Sequence, residues 1–187
     1  MKYDKMRKTN LTLNQEPIVE GIQLYDLDNK VFNFKDLIIE NKPNLVVCGS
    51  FSWPPFRSGG ISTLSNWIST LGDKINIIPI YISEAHASDE WPTSQECSIK
   101  QHTNVQERIQ TVKNGMHKYG IDFPIYVDSF NKVNIENTYN PWPERAFIIY
   151  ENQLQYIAHA RIEGVFWQEE IEQWLKDRHF IENWTWD

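Results

Sequence analysis

Residues 1–20 carry only scattered apolar positions among Lys, Asn, Thr and Glu, which predicts a flexible N-terminal segment. Regular patterning begins at Ile22. Ile22 and Leu24, then Val31 to Phe34, flank the turn-rich stretch Asp26-Leu27-Asp28-Asn29-Lys30 and predict a β-hairpin. Asn44 to Gly49 is a short, β-branched, nearly continuous apolar run bounded by Pro43 and Gly49, the pattern of a strand buried on both faces. Ile75 to Ile82 reads the same way, with Pro79 placed where one ladder bond goes unmade. Between these two, Ile61, Leu64, Ile68 and Leu71 recur at helical spacing. Pro54 and Pro55 suit the first turn of that helix, Gly72 can end it, and Gly59-Gly60 predict an irregular start. A second helix carries Val105, Ile109, Val112 and Met116 on one face, with Thr103 and Gln106 as a capping-box pair and Gly120 as its stop. Ile125 to Val127 predicts a short strand. Ala146–Tyr150 and Leu154–Ala158 predict a second hairpin, and Trp167, Ile171, Trp174 and Leu175 mark a last amphipathic helix.

The order is hairpin, then βαβα, then ββα. A strand–helix–strand unit gives parallel neighbours, and the hairpins add antiparallel edges. The expected architecture is α/β and thioredoxin-like: a central mixed β-sheet flanked by helices, with an N-terminal β-hairpin and a peroxiredoxin-like inserted strand at 125–127. Residues 21–187 read as one domain, without repeat or linker.

Composition narrows the partners. Hydrophobic residues are 41% and charged residues 23%, as in folded chains. A net charge of −7 without a basic run speaks against nucleic acid. No apolar run approaches a membrane span, and Met1 to Glu16 lacks the apolar core of a signal peptide. The expected setting is therefore cytoplasmic, with no membrane partner. The two cysteines are then expected as free thiols, Cys48 in the core and Cys97 as a candidate resolving thiol. Asn10 and Asn183 head Asn-x-Thr triplets that mean little in that compartment.

Three segments can carry chemistry. The loop Gly49 to Phe56 runs from a strand into a helix N-terminus, where a thiol or selenol would stay ionised. After the strand ending near Ile82 comes Ser83-Glu84-Ala85-His86, at the strand end where α/β sheets place ligands. His86 can move a proton near neutral pH and Glu84 can orient it. The third segment is Pro141-Trp142-Pro143-Glu144-Arg145. Pro143 is the candidate cis-proline beside the first loop, and Arg145 can face an anion. Trp91 and Trp142 can wall a pocket or pack the core. His86 and His102 fit no compact ligand spacing, so no metal is expected.

The motifs resemble those of the iodothyronine deiodinases. Gly49-Ser50-Phe51-Ser52-Trp53-Pro54-Pro55-Phe56 is similar to that family's active-site loop, which has selenocysteine where Trp53 stands. Tyr81-Ile82-Ser83-Glu84-Ala85-His86-Ala87-Ser88-Asp89-Glu90-Trp91 matches a long, specific family motif. His102-Thr103-Asn104-Val105-Gln106-Glu107-Arg108-Ile109, Trp142-Pro143-Glu144-Arg145 and Gly164 to Leu175 also fit, so the likeness runs from about Ile22 to about Lys176. It implies reductive deiodination of an iodinated phenol or iodothyronine-like small molecule, with a thiol reductant as cosubstrate and no bound cofactor. It implies position 53 as nucleophile, with His86, Tyr81, Glu84 and Ser50 in the proton-handling group. His102 and Arg145 would grip the substrate's phenol and carboxylate ends. It also implies a homodimer.

Three departures bear on this. Phe51 and Ser83 replace a cysteine and a glutamate, and Trp53 replaces the nucleophile with an indole, which offers one N–H and a π face. Either Trp53 is genuine and the chain is a redox-silent binding relative, or codon 53 is UGA and specifies selenocysteine. A related thiol or selenol peroxidase or reductase is the third reading. Sequencing codon 53 separates the first two: UGA with a selenocysteine insertion element marks a selenoenzyme, and UGG marks a chain that has lost its nucleophile.

Overall fold

The computed structural model of the chain describes residues 8–93, 98–158 and 167–181; Cys97, Gly164 and Asn183 lie outside them. Seven strands, β1 (Gln23–Tyr25), β2 (Val31–Asn33), β3 (Asn44–Gly49), β4 (Asn76–Tyr81), β5 (Tyr126–Asp128), β6 (Arg145–Tyr150) and β7 (Gln153–Ile157), form one sheet in the order β2-β1-β5-β4-β3-β6-β7. β3, β4 and β5 are parallel, and the two hairpins flank them antiparallel. The described helices are α1 (Phe34–Leu37), α2 (Ile61–Leu71), α3 (Val105–Tyr119), α4 (Ile135–Tyr139) and α5 (Trp167–Asp177). This is the thioredoxin-like α/β fold expected from the sequence, with β5 inserted between β4 and β1.

The apolar run of β3 is buried at every position because β4 and β6 pair with it on either side. Cys48 is fully buried there, and burial first, then the charges of Asp128 and Glu136, pushes its thiol well above the ordinary range. It is a core residue, as its place in the strand implies. Pro79 lies one residue before the β4–β5 pairing begins at Ile80, where a missing N–H costs the ladder little. The β6–β7 turn places Glu151 and Asn152 at φ of 50° and 56°, the two positive values that a tight hairpin needs.

The entrance to α2 is irregular, as Gly59-Gly60 suggested: Phe56–Gly60 form a π-helical turn ahead of it. Gly49 has to be glycine at the handover from β3, since a Cβ there would lie 2.4 Å from the Phe56 ring. Trp67 of α2 meets Trp167 of α5 edge-on at 5.7 Å, which docks the two helices to each other.

The cap of α3 differs from expectation by one residue. Asn104, in extended backbone, is the N-cap and accepts the Glu107 N–H at 2.9 Å. Glu107 in turn accepts from the Thr103 N–H at 2.8 Å. Thr103-Asn104-Val105-Gln106-Glu107 contains two overlapping capping patterns, and the better Asn acceptor wins. The helix α4 was not foreseen. Its cap is partly long-range: the Asp128 carboxylate at the end of β5 accepts the N–H groups of Ile135 and Glu136, each at 3.0 Å.

The N-terminal segment was expected to be loose. Its described part, residues 8–20, has no helix or strand, yet it is tied down. Asn10 N–H donates to the Tyr139 carbonyl at 3.1 Å, Asn14 and Gln15 exchange backbone bonds with Leu154, and Leu11 is buried.

Phe51 and α3 are mutually fitted. Phe51 is fully buried, and a Cβ on Gly115, in the middle of α3, would lie 2.0 Å from its ring. Glycine is disfavoured in a helix interior by about 1 kcal/mol relative to Ala, so the position is kept open by packing. Gly115→Ala is expected to destabilise the chain by about 1–3 kcal/mol despite its better helix propensity. Urea unfolding measures this, and a stabilised variant would contradict the fit.

Candidate functional site

The loop at the end of β3 and the loop at the end of β4 lie side by side because the strands are parallel neighbours. They are laced by reciprocal bonds. Phe51 N–H donates to the Tyr81 hydroxyl at 3.1 Å and Ser52 N–H to Glu84 Oε2 at 3.0 Å. In return Ala85 N–H donates to Ser50 Oγ at 3.2 Å and His86 N–H to Ser52 Oγ at 3.0 Å. The Tyr81 hydroxyl in turn donates to Glu84 Oε1 in a short hydrogen bond. Ser50, Tyr81 and Glu84 are all shut from solvent. Burial, the largest cause, raises the pKa of Glu84, and its hydrogen bonds to Ser52 and Tyr81 act against that rise.

His86 sits over this lattice. Its Nδ1 lies 3.2 Å from the Trp91 carbonyl. A carbonyl only accepts, so Nδ1 carries the proton of the neutral ring and Nε2 is its basic nitrogen. Trp53 stacks on the imidazole at 5.5 Å and 23°, and Trp91 packs on it at 4.6 Å. The backbone of Trp53 is fixed at both ends, by its N–H to the Ser50 carbonyl and by its carbonyl, which accepts from Arg57 N–H. Position 53 therefore stands directly before the helical turn of Pro54 and Pro55, where the positive end of a helix favours an anion.

His102 joins the group from the start of the α3 segment. Its Nε2 lies 3.0 Å from Thr111 Oγ1 and 3.8 Å from Glu84 Oε1, and its buried Nδ1 has no hydrogen-bond partner. Burial above all, and then the Arg108 charge, pushes its pKa down to about 4, so the ring is neutral at neutral pH. His102 lines a cavity of about 670 Å³ together with Phe51, Ile99, Thr111, Lys118 and Tyr119. It also lines a smaller one of about 300 Å³ that reaches Glu84, Arg108 and Trp142.

Arg145, expected from the family resemblance to grip a substrate carboxylate, lies inside the sheet. It opens β6 opposite Cys48, is 1% exposed, and gives Nη1 to the Ala158 carbonyl at 2.9 Å. Burial holds its pKa below the ordinary value. Pro143 does follow a cis peptide, Trp142–Pro143.

Several site residues escaped the sequence reading. Gln101 clamps the backbone of Glu84, accepting its N–H at 2.9 Å and donating to its carbonyl at 3.2 Å. Trp142, already named as a candidate pocket wall, donates Nε1 to the same carbonyl at 3.4 Å. Glu144 is the larger omission. It is 1% exposed, and Trp167 Nε1 donates to its Oε1 at 3.0 Å. Burial pushes its carboxyl up to about 7, against the pull of the Trp167 and Trp53 indole N–H groups. The available signal was the adjacent pair Glu144-Arg145 at the entry to a buried strand: two charges with no turn between them cannot both face solvent. Among the described residues no three His, Cys, Asp or Glu side chains converge on a metal position, and no helix is long and apolar enough to cross a membrane.

Residues 7–179 match the family model of iodothyronine deiodinase. The chain is 30% identical to a type I iodothyronine deiodinase of Xenopus laevis over 133 residues, which cover 70% of this chain and 51% of that protein. It spans about half the length of the curated relatives it matches. Among solved structures it is similar to a thiol-disulfide isomerase from Corynebacterium glutamicum, with TM-score 0.59, 11% identity and 90% and 99% of the two chains covered. It is also similar to a thioredoxin-like protein from Porphyromonas gingivalis, with TM-score 0.54, 15% identity and 89% and 93% covered. At these identities the likeness concerns the fold.

The Glu144 carboxyl yields a pH prediction. Its folded pKa of about 7 lies above the ordinary 4.5, so folding takes up a proton between those values. Its contribution to stability is present below about pH 4.5 and lost as pH rises through about 7. The stability of the unmodified protein relative to Glu144→Gln should fall by about 3 kcal/mol between about pH 4 and pH 8. Urea unfolding across that range checks it, and a gap that does not vary with pH would refute it.

Proposed function

The chain belongs to the iodothyronine deiodinase family, and on that footing we propose that its site is built for reductive removal of iodine from an iodinated phenolic substrate by a selenol or thiol at position 53. The observation that carries this reading is the lacing of the position-53 loop to Tyr81, Glu84 and His86. It sets a proton-handling group beside a residue at a helix N-terminus. The selenolate or thiolate attacks iodine along the carbon–iodine axis. A selenium–iodine or sulfur–iodine bond forms, the carbon–iodine bond breaks, and the ring carbon keeps the electron pair and takes a proton. His86, protonated at Nε2 as the imidazolium, supplies that proton, and Ser50, Tyr81 and Glu84 hold its loop in place. Two equivalents of a small thiol then release iodide and restore the nucleophile, leaving a disulfide. His102, neutral and with an unpartnered Nδ1, suits a phenol hydroxyl. A reducing, cytoplasmic setting belongs to this reading because the thiol reductant must persist there.

One observation favours a second reading. Trp53 is 9% exposed and packed on His86, and an indole forms no bond to iodine. With tryptophan at this position the protein is a redox-silent relative that retains a binding site.

Trp53→Cys, or selenocysteine at 53, is expected to release iodide from an iodothyronine in the presence of dithiothreitol. Adding His86→Asn should lower kcat by about a hundredfold, as loss of a general acid does. Absence of iodide release from either position-53 variant would remove the dehalogenase reading. Hydroperoxide turnover exceeding dehalogenation would move the assignment to a peroxidase.

A further inference from the structure

The peptide unit between Phe51 and Ser52 is gripped at both ends. Its N–H, that of Ser52, donates to Glu84 Oε2 at 3.0 Å. Its carbonyl, that of Phe51, accepts from Arg57 Nη1 at 2.7 Å, in the short range of a charge-assisted bond. A guanidinium and a buried carboxyl thus hold one rigid peptide plane from opposite edges, and neither bond survives if that plane turns over. Arg57 holds the loop a second time through its backbone, whose N–H donates to the Trp53 carbonyl at 3.1 Å. The anchors supplied by Tyr81, Glu84, Ala85 and His86 all come from the end of β4 and its loop. Arg57 comes instead from the π-helical turn ahead of α2.

The same geometry carries a positive charge past position 53. The bond from the Arg57 N–H to the Trp53 carbonyl closes a helical turn over 53–57, and side chains four apart on such a turn start about 5–6 Å from each other. Helical side chains lean toward the N-terminus, and Nη1 of Arg57 reaches a carbonyl two residues before position 53. We propose that Arg57 is the positioning residue of the nucleophile loop: it clamps the 51–52 peptide against Glu84, and its charge favours the anionic form of a thiol or selenol at position 53. The inference rests on the reading of position 53 as the place of the nucleophile. Other segments also bring titratable groups to this loop. His86 stacks on residue 53, Glu84 is bonded to Ser52, and Glu144 feels the indole N–H of Trp53. A carboxylate opposes a second anion nearby, and the Arg57 guanidinium offsets that opposition.

Two readouts separate the charge from the clamp. The first uses the full chain carrying Trp53→Cys. The half-ionisation pH of its new thiol is read from the pH dependence of iodoacetamide alkylation, by mass spectrometry of the peptide that holds residue 53. Adding Arg57→Met should raise that pH by about one unit, the lower end of the effect of a nearby opposite charge because Arg57 is half-buried. About tenfold less thiolate is then present at a given pH below both values. Arg57→Lys, which keeps the charge, should restore most of the difference, as a purely structural role would not require. An unchanged half-ionisation pH in Arg57→Met overturns the role of the charge. The second readout is amide hydrogen exchange in the chain with Trp53 in place. Arg57→Met should speed exchange at the Ser52 amide by at least about tenfold, the worth of a hydrogen bond to a charged group, and leave the amides of β3 as they were. An unchanged rate at Ser52, or an equal rise throughout β3, refutes the clamp. Should Arg57→Met fail to fold, Arg57→Gln takes its place in both measurements. Neither readout needs iodide release. Both shifts without iodide release by Trp53→Cys would leave Arg57 in its role and remove the dehalogenase reading. Iodide release with neither shift would do the opposite.

Discussion

The geometry at the sheet's carboxyl end depends on one buried carboxyl, that of Glu84. Removing a carboxyl from water is expensive unless donors surround it. Here those donors come from the neighbouring loop and from its own strand: the Ser52 N–H and the Tyr81 hydroxyl. Gln101 then fixes the Glu84 backbone on both of its polar groups. Because each bond needs a different segment in place, the loops after β3 and β4 cannot move independently. The position of residue 53 relative to His86 is a consequence of that lock.

A second buried carboxyl, that of Glu144, lies in different surroundings. Glu84 is enclosed by donors, whereas Glu144 keeps one strong partner, Trp167, and a distant one, Trp53. Two buried carboxyls with unlike environments hold their protons differently. The contrast comes from the fold. Glu84 follows a parallel strand end, where loop N–H groups gather, while Glu144 sits between a cis-proline and a buried β-strand, where few are spare.

Much of this was legible in the sequence, because it rests on short-range pattern. The all-buried run of β3, the helical spacing in α2 and α3, and the Glu151-Asn152 turn announce themselves locally. The loops at 50–53 and 81–86 were legible as a pair because both end parallel strands. What escaped depends on partners far along the chain. The cap of α4 comes partly from Asp128, and the burial of Glu144 is tied to Trp167. The partner of Arg145 Nη1, the Ala158 carbonyl, lies beyond the hairpin strand β7 and was not legible either. The cap of α3 missed by one residue because two acceptors compete in adjacent positions.

The bonds between the N-terminal segment and Leu154 have a consequence for solution behaviour. β7 is the last strand of the sheet on its side, and an open strand edge offers unpaired backbone groups to any other extended chain. Asn14 donates to the Leu154 carbonyl at 2.8 Å and Gln15 accepts the Leu154 N–H at 2.9 Å, so both polar groups of that residue are occupied from outside the sheet. The segment thus acts as a guard rail against edge-to-edge self-association. A chain shortened to begin after Gln15 would keep its position-53 loop intact and yet expose a β edge at Leu154, trading monodispersity for a tendency to form intermolecular sheet.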